Sequence, residues 1–513
     1  MLARVASEAL SGLDSHAISV EADVAVAAPA FTIVGLPDAA VQESRERVRA
    51  AIVNSGYEFP ARRVIVNLAP ADLRKEGPAF DLPIALAFLG ATGQAAAGRP
   101  DTAVVGELGL DGALRQVAGV LAIAQSARAR GVRRLLVPSA NAREAALVSG
   151  LSVLAATDLR EAVKLFGRER GDQPASDSSA SEMQAALLAQ PMDQELDLAD
   201  VIGQEHAKRA LEVAVAGAHN VLMVGPPGSG KTMLARRLPP IMPPLSLSEA
   251  IDVSRVYSVA GLLSPDRPLV TRRPFRAPHH TISAPGLVGG GATPRPGEVS
   301  LAHNGVLFLD EFPEFRLSAL EGLRQPLEDG EVTVSRSLTS VTFPARLMLV
   351  AAMNPCPCGF LGDRRHACSC PAHRLRQYGA RLSGPLLDRI DVRVTVGRVP
   401  PRARRATAPA EPSSAVGLRV AAARARQQAR LGAGTQVANA HLNTRQVRRL
   451  CRLEPAAVHL LDRAYEKLRL SARACERVIK VARTIADLAG AEGIAAAHVA
   501  EALAYRSADE GRR

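Results

Sequence analysis

No apolar run in this chain of 513 residues approaches the roughly 20 residues that a membrane span requires; the best, Pro83 to Gly90, is far too short. The opening residues, MLARVASEALSGLDSH, hold no apolar signal core followed by a cleavage site. The expectation is a soluble, cytoplasmic protein with no membrane partner. Cysteine is scarce, at six residues, and four of them (Cys356, Cys358, Cys368 and Cys370) fall in one short segment. A secreted disulfide framework would be spread along the chain, so the clustering favours metal ligation. Sequence repeats with a period of about 20–50 residues are absent. Hydrophobic residues make up 47% of the chain and charged ones 22%, which rules out a largely disordered or fibrous protein.

An excess of one charge is also missing from most of the chain. Residues 402–513 hold 21 Lys and Arg against 10 Asp and Glu, and the remainder holds 42 against 41. A surplus so confined points to a polyanionic partner. The plainer alternative is an Arg-rich composition on solvated helix faces.

At roughly 100–200 residues per domain the length implies two to four domains, and punctuation in the sequence divides it. Residues 1–166 alternate β-like runs (Arg63 to Asn67, Thr102 to Gly106) with helical ones (Ala39 to Asn54). Residues 167–192 are polar, rich in Ser and Asp and without apolar periodicity, and read as a linker. Residues 193–400 carry the nucleotide chemistry and the cysteines. Residues 401–513 begin with a Pro/Ala break and then read as helix: Val416 to Leu431, Thr444 to Leu453, Pro455 to Leu468, Ala472 to Leu488 and Ile494 to Tyr505.

Gly225-Pro226-Pro227-Gly228-Ser229-Gly230-Lys231-Thr232 fits the pattern GxxxxGK[ST], after the apolar run Val221 to Val224 and before a helical run from Met233. That strand–loop–helix context makes it a P-loop for ATP. The glycines let backbone N–H groups close on the β-phosphate at a helix N-terminus. Lys231 supplies positive charge to the β- and γ-phosphates, and the Thr232 hydroxyl is placed to ligate Mg2+. Further on, Val306-Leu-Phe-Leu-Asp310-Glu311 reads as a buried strand ending in two carboxylates. Asp310 would organise Mg2+ and its waters, and Glu311 would polarise the attacking water. A third apolar strand, Leu347 to Met353, delivers Asn354 to the same sheet edge, where it could orient the lytic water; the alternative is a turn Asn before Pro355. Four thiolates in the order Cys-x-Cys, nine residues, Cys-x-Cys suit a closed structural zinc site. His366 and His373 are spare ligand candidates, and reduced buried thiols are the alternative.

Several blocks, SLAHNGVLFLDEFPEF (300–315), LRQPLEDG (323–330), AAMNPCPCG (351–359), SGPLLDRID (383–391), RPFRAPHH (273–280) and ARTIADLAG (482–490), resemble the ComM/YifB family of magnesium-chelatase-like AAA+ ATPases. The resemblance implies an α/β protein in three parts: a Lon-protease-like (ribosomal S5 domain 2-like) α+β domain, an AAA+ αβα core of the chelatase/helix-2-insert clade, and a helical lid. It implies a ring, usually a hexamer, with ATP at subunit junctions. Arg389 then matches the arginine finger acting on a neighbour's γ-phosphate, against an ion pair with Asp388 or Asp391. Arg473 matches the sensor-2 arginine acting in cis, with Arg477 one turn away as its rival. The clade's insertion should fall near Ile282 to Gly297. Its hairpin should cover Val332 to Val341 with Arg336 near the tip, as a contact to the DNA backbone or as an ordinary exposed turn. In the N-terminal part, Ala79 stands where a Lon-type nucleophilic serine would fall, and no Lys occurs in residues 113–130. The catalytic dyad is missing, and peptidase activity is not expected.

The resemblance implies an ATP-driven DNA helicase promoting branch migration of recombination intermediates, as in natural transformation. A magnesium-chelatase motor subunit and a protein-remodelling ATPase, neither acting on DNA, are the competing readings.

Overall fold

The computed structural model describes residues 1–168, 177–189, 196–291, 294–335, 340–363, 366–399, 410–432 and 438–506. The chain divides into two compact units: Met1–Pro191 with Ser246–Thr271 and Ser335–Phe343, and Met192–Leu245 with Arg272–Val334 and Pro344–Arg513.

The first unit is built on a seven-stranded mixed sheet in the order Ala30–Val34, Arg63–Ala69, Asp14–Ala25, Leu2–Ser11, Thr102–Val104, Arg134–Pro138, Ser152–Ala156. Leu2–Ser11 and Asp14–Ala25 pair antiparallel, and the last three strands run parallel. The helix Asp81–Ala91 is buried at every position, which is why its sequence is apolar all round instead of on one stripe. Its only charge, Asp81, is neutralised by Arg47 (Nε to Oδ2 2.8 Å) and accepts a hydrogen bond from Ser44. The helix Ala39–Asn54 forms as its spacing predicts, with Asp38 capping Val41 N at 2.8 Å and Val41, Ser44, Val48, Ala51 and Ile52 facing inward. Ala79 sits in the turn Pro78–Phe80 that leads into the buried helix.

Two features depart from the sequence reading. Residues of the expected linker form the helix Asp177–Leu188, whose Ala180, Gln184 and Leu187 are buried. One of the three is polar: Gln184 donates to Leu147 O at 2.7 Å, and a glutamine on the inner face hides the helical period. The segment Ser246–Thr271, expected within the ATPase core, groups with the first unit. Its helix Leu247–Val259 starts at a capping box of Ser246 and Glu249. At its far end Ser258 O accepts from Gly119 N at 2.9 Å and the Ser258 hydroxyl donates to buried Glu144.

The second unit holds a five-stranded parallel sheet in the order Phe275–Arg276, Val306–Leu309, Met348–Met353, Val221–Val224, Val392–Thr395. Parallel strands covered on both faces read as unbroken apolar runs, and VLFL and MLVAAM are buried throughout. The lid is helical, at Ser413–Leu431, Thr444–Leu450, Pro455–Lys467, Ala472–Leu488 and Ala496–Ala504. It joins the sheet in one core, with Val420, Val478 and Val499 buried alongside Val221 and Val392. The Gly/Pro-rich insertion is a short helix, Ala284–Val288, followed by a two-stranded ribbon, Gly289–Gly290 with Arg295–Pro296. Strands cover both arms of the expected hairpin, Glu331–Ser335 and Ser340–Pro344; Arg336 lies outside the described residues. No helix among the described residues is long and apolar enough to cross a membrane.

Candidate functional site

The three central strands of the parallel sheet bring the candidate residues to their carboxyl ends, where ligands bind in such sheets. The loop after Val221–Val224 turns at Gly228 (φ 72°) and Gly230 (φ 93°) into the helix Lys231–Ala235. Gly225 has no room for a side chain, because a Cβ there would stand 2.1 Å from Val396 O. Lys231 is 8% exposed. Its ammonium donates to Gly225 O (2.7 Å), Pro226 O (3.1 Å) and Asn354 Oδ1 (3.2 Å), and burial lowers its pKa. The sheet therefore sets Asn354 beside the P-loop lysine. The Thr232 hydroxyl donates to Asp310 Oδ2 at 2.6 Å. A hydroxyl and a carboxylate oxygen side by side are the hard donors that Mg2+ takes. The cavity around them has a volume of about 720 Å3 and is lined by residues 227–233, Asp310, Glu311, Asn354 and the pair His279 and His280, room enough for a nucleotide.

Glu311 has a left-handed backbone (φ 52°), which turns the chain sharply after the strand. Its carboxylate pairs with His280, Oε2 to Nδ1 3.1 Å. His280 belongs to the RPFRAPHH block, and the sequence alone assigned it no role. The signal was there in two adjacent histidines just past an edge strand of the nucleotide sheet.

The four cysteine sulfurs lie within 4.8 Å of one another, with Cys356–Cys358 at 3.3 Å, Cys356–Cys368 at 3.7 Å and Cys358–Cys368 at 3.6 Å. Four sulfurs held at about 2.3 Å from one zinc ion stand roughly 3.8 Å apart, so the donor set fits that ion. Leu361 N donates to Cys356 Sγ and Cys358 N to Cys370 Sγ, both at 3.3 Å. The backbone N–H at Phe360 helps to pull the Cys358 thiol down, while the thiols of Cys368 and Cys370 beside it are raised, so the sulfurs share protons across the cluster. Neither His366 nor His373 joins the cluster. His366 stacks on Phe360 instead, with ring centroids 5.1 Å apart.

Arg389 and Arg473 do not line the P-loop cavity. Both line a second cavity of the same unit, about 680 Å3, together with Glu328, Asp391, Arg477 and Lys480. Arg389 pairs with Glu328 and donates to Pro385 O at 2.8 Å, so its partner is neither Asp388 nor Asp391. Arg477 is engaged by Asp391 at 3.3 Å. Arg473 is exposed and has no hydrogen-bond or ion-pair partner among the described residues. Behind this cavity His219 bridges Asp391 (3.1 Å) and Thr484 (2.8 Å), linking the sheet to the lid through buried polar groups.

Comparison with known proteins identifies the family. The family model of magnesium chelatase subunit ChlI matches residues 197–404, that of subunit ChlI of Mg-chelatase residues 20–141, and that of the ChlI C-terminal region residues 410–506. The chain is 44% identical over 512 residues to the uncharacterized protein YifB of Escherichia coli, covering 99% of this chain and 97% of that protein. It is 44% identical over 511 residues to the competence protein ComM of Haemophilus influenzae, again covering 99% and 97%. The chain belongs to the ComM/YifB family. This ComM/YifB protein is equally similar to an uncharacterized protein of Mycobacterium tuberculosis, 44% over 507 residues and 98% of each chain. Membership places it among magnesium-chelatase-like AAA+ proteins, which supports an ATPase using nucleotide and Mg2+.

Proposed function

We propose that the protein is an ATP-hydrolysing motor that assembles as a hexameric ring and acts on DNA as a branch-migration helicase. The observation that carries the ring is the separation of charges within the second unit. The P-loop cavity holds the phosphate loop, Asp310, Glu311 and Asn354, while Arg389 and Arg473 line another cavity. Among the described residues Arg236 is the one arginine lining the P-loop cavity, and the position of Arg389 outside it supports an arginine finger supplied in trans by a neighbouring copy. By the same placement Arg473 serves the neighbour's nucleotide, in place of the cis role that its resemblance implied.

Bound Mg2+ would supply charge neutralisation between the β- and γ-phosphates, held by Thr232 and Asp310. Lys231 binds the β- and γ-phosphates, Glu311 accepts a proton from the attacking water, and Asn354 orients that water. Arg389 offsets the charge that develops on the transferred phosphoryl group, an effect of about 10³–10⁵ in rate in related enzymes. The four cysteines would hold a structural zinc ion.

For the DNA partner, support comes from the basic residues 402–513 and from similarity to a protein named for competence. Backbone binding of this kind weakens as salt rises, because each neutralised phosphate releases counterions. Arg336 at the hairpin is the proposed phosphate contact.

The test is ATPase rate with and without branched DNA at two salt concentrations, beside a Glu311→Gln control. The expected result is stimulation that fades with salt and is absent in the control. Hydrolysis that depends on Glu311 but ignores DNA would leave the ATPase standing and move the reading to a chelatase-type or protein-remodelling motor.

A further inference from the structure

Arg389 stands in the turn that leads into the edge strand Val392–Thr395, and two groups hold it there. Glu328 pairs with its guanidinium. Its backbone is held by Asn220, whose side-chain Nδ2 donates to Arg389 O at 2.9 Å. The same amide also faces the other way, because Asn220 Oδ1 accepts from Leu349 N at 2.8 Å. A carbonyl oxygen can only accept and a backbone N–H can only donate, so the two partners fix the orientation of the amide. The Asn220 carbonyl adds two contacts, accepting from Asp391 N at 3.1 Å and Val392 N at 3.0 Å.

Sheet register explains how one residue reaches three segments. Asn220 immediately precedes Val221–Val224, the strand between Met348–Met353 and Val392–Thr395. Val221 stands opposite Val350 on one side and Val392 on the other, so Asn220 is flanked by Leu349 and Asp391. It lines the second cavity beside Arg389. The preceding residue, buried His219, secures Asp391 through its side chain at 3.1 Å. The base of the turn therefore has its own anchor, and the Asn220 amide is the contact that reaches Arg389 O.

A guanidinium on a long, flexible side chain is placed no better than the peptide that carries it. Misplacement of a catalytic group by about 1 Å costs about a hundredfold in rate. We propose that Asn220 is a positioning residue for the finger. Its side-chain amide fixes the peptide after Arg389 against the sheet, so that the guanidinium meets the nucleotide of a neighbouring copy. It does not serve the phosphate loop of its own chain, although that loop follows four residues later. The inference rests on the ring reading above, with Arg389 acting in trans.

The experiment measures kcat and KM for ATP on the full chain for Asn220→Asp and Asn220→Ala. Each is assayed alone and mixed with Lys231→Ala or with Arg389→Ala. Nucleotide titration and thermal melting establish that each variant is folded. Asn220→Asp keeps the acceptor for Leu349 N and loses the donor to Arg389 O. Its kcat should fall about tenfold to a hundredfold at unchanged KM, and that of Asn220→Ala should fall as far. Lys231→Ala brings intact fingers, so its mixture with Asn220→Asp should regain turnover. Arg389→Ala brings none, and that mixture should stay slow. Should Asn220→Ala fail to fold, the more conservative Asn220→Asp carries the test.

The reverse pattern, recovery with Arg389→Ala and not with Lys231→Ala, would assign Asn220 to its own phosphate loop and overturn the proposal. Failure of both mixtures, recovery in both or a raised KM would overturn it as well. Wild-type kcat in Asn220→Asp would remove the contact to Arg389 O from the mechanism. A reference mixture of Arg389→Ala with Lys231→Ala separates the two levels. Silence there removes the finger in trans and this inference with it. Recovery there, beside silence of Asn220→Asp with Lys231→Ala, removes this inference alone.

Discussion

Gly359, in the loop that carries the cysteines, lies against Pro227 of the phosphate loop. Its backbone is left-handed at φ 84°, and a Cβ there would stand 2.4 Å from Pro227 Cδ. The cysteine loop and the nucleotide loop thus share a wall, and Asn354 stands two positions before the first cysteine. Gly359→Ala adds both a strained backbone and a methyl group with no space, together about 1–3 kcal/mol. Weaker ATP binding and a lower denaturation midpoint are expected, read by nucleotide titration and urea unfolding. Wild-type affinity in that variant would show that the two loops move independently.

The cysteine cluster leads to a metal prediction. Protein purified without chelator should contain about one zinc per chain by elemental analysis, the number that four closed ligands hold. Cys368→Ser should lose it and lower ATP turnover, because the loop beside Pro227 and Asn354 loses its anchor. Metal-free protein with full turnover would remove both claims.

The second cavity gives a complementation test. Arg389→Ala should bind nucleotide as the wild type does and fail to hydrolyse it. Lys231→Ala should fail to bind. In the proposed ring, mixed assemblies would contain junctions where an intact P-loop meets an intact finger, so mixing the two inactive proteins should restore a measurable rate. Silence in the mixture would place the finger elsewhere.

His303 ties stability to pH. It is 5% exposed and accepts from Arg346 N at Nδ1 over 3.1 Å. Burial, with Arg346 nearby, lowers its pKa to about 4. The unfolded chain binds the proton first, so between about pH 6.5 and pH 4 it holds more protons than the folded one and stability rises with pH. The contribution is complete above pH 6.5 and is lost as pH falls toward 4, about 3 kcal/mol at 1.4 kcal/mol per unit. Urea midpoints across that window should show the slope, and His303→Gln should flatten it. An equal slope in the variant would assign it to other groups.

Sequence alone determined what depends on neighbours in the chain. The phosphate loop is read from its glycines and its lysine. The buried strands are apolar without interruption, and the lid helices Pro455–Lys467 and Ala472–Leu488 begin where Pro455 and the Ser471 cap place them. Where a buried face carries a polar residue the pattern fails, and so Gln184 concealed the helix Asp177–Leu188.

Tertiary structure decided everything that joins distant segments. Arg473 and Arg477 are equivalent on one helix until Asp391 arrives from the sheet to engage Arg477 and leave Arg473 exposed. His280 lies four residues past the strand Phe275–Arg276 and Glu311 two past Val306–Leu309, and the parallel pairing of those strands brings the segments together, with Nδ1 3.1 Å from Oε2. A motif records which chemistry is available because its atoms are placed by a few local dihedral angles. Which group meets it, and from which segment, is set by sheet order and register, which no local pattern encodes.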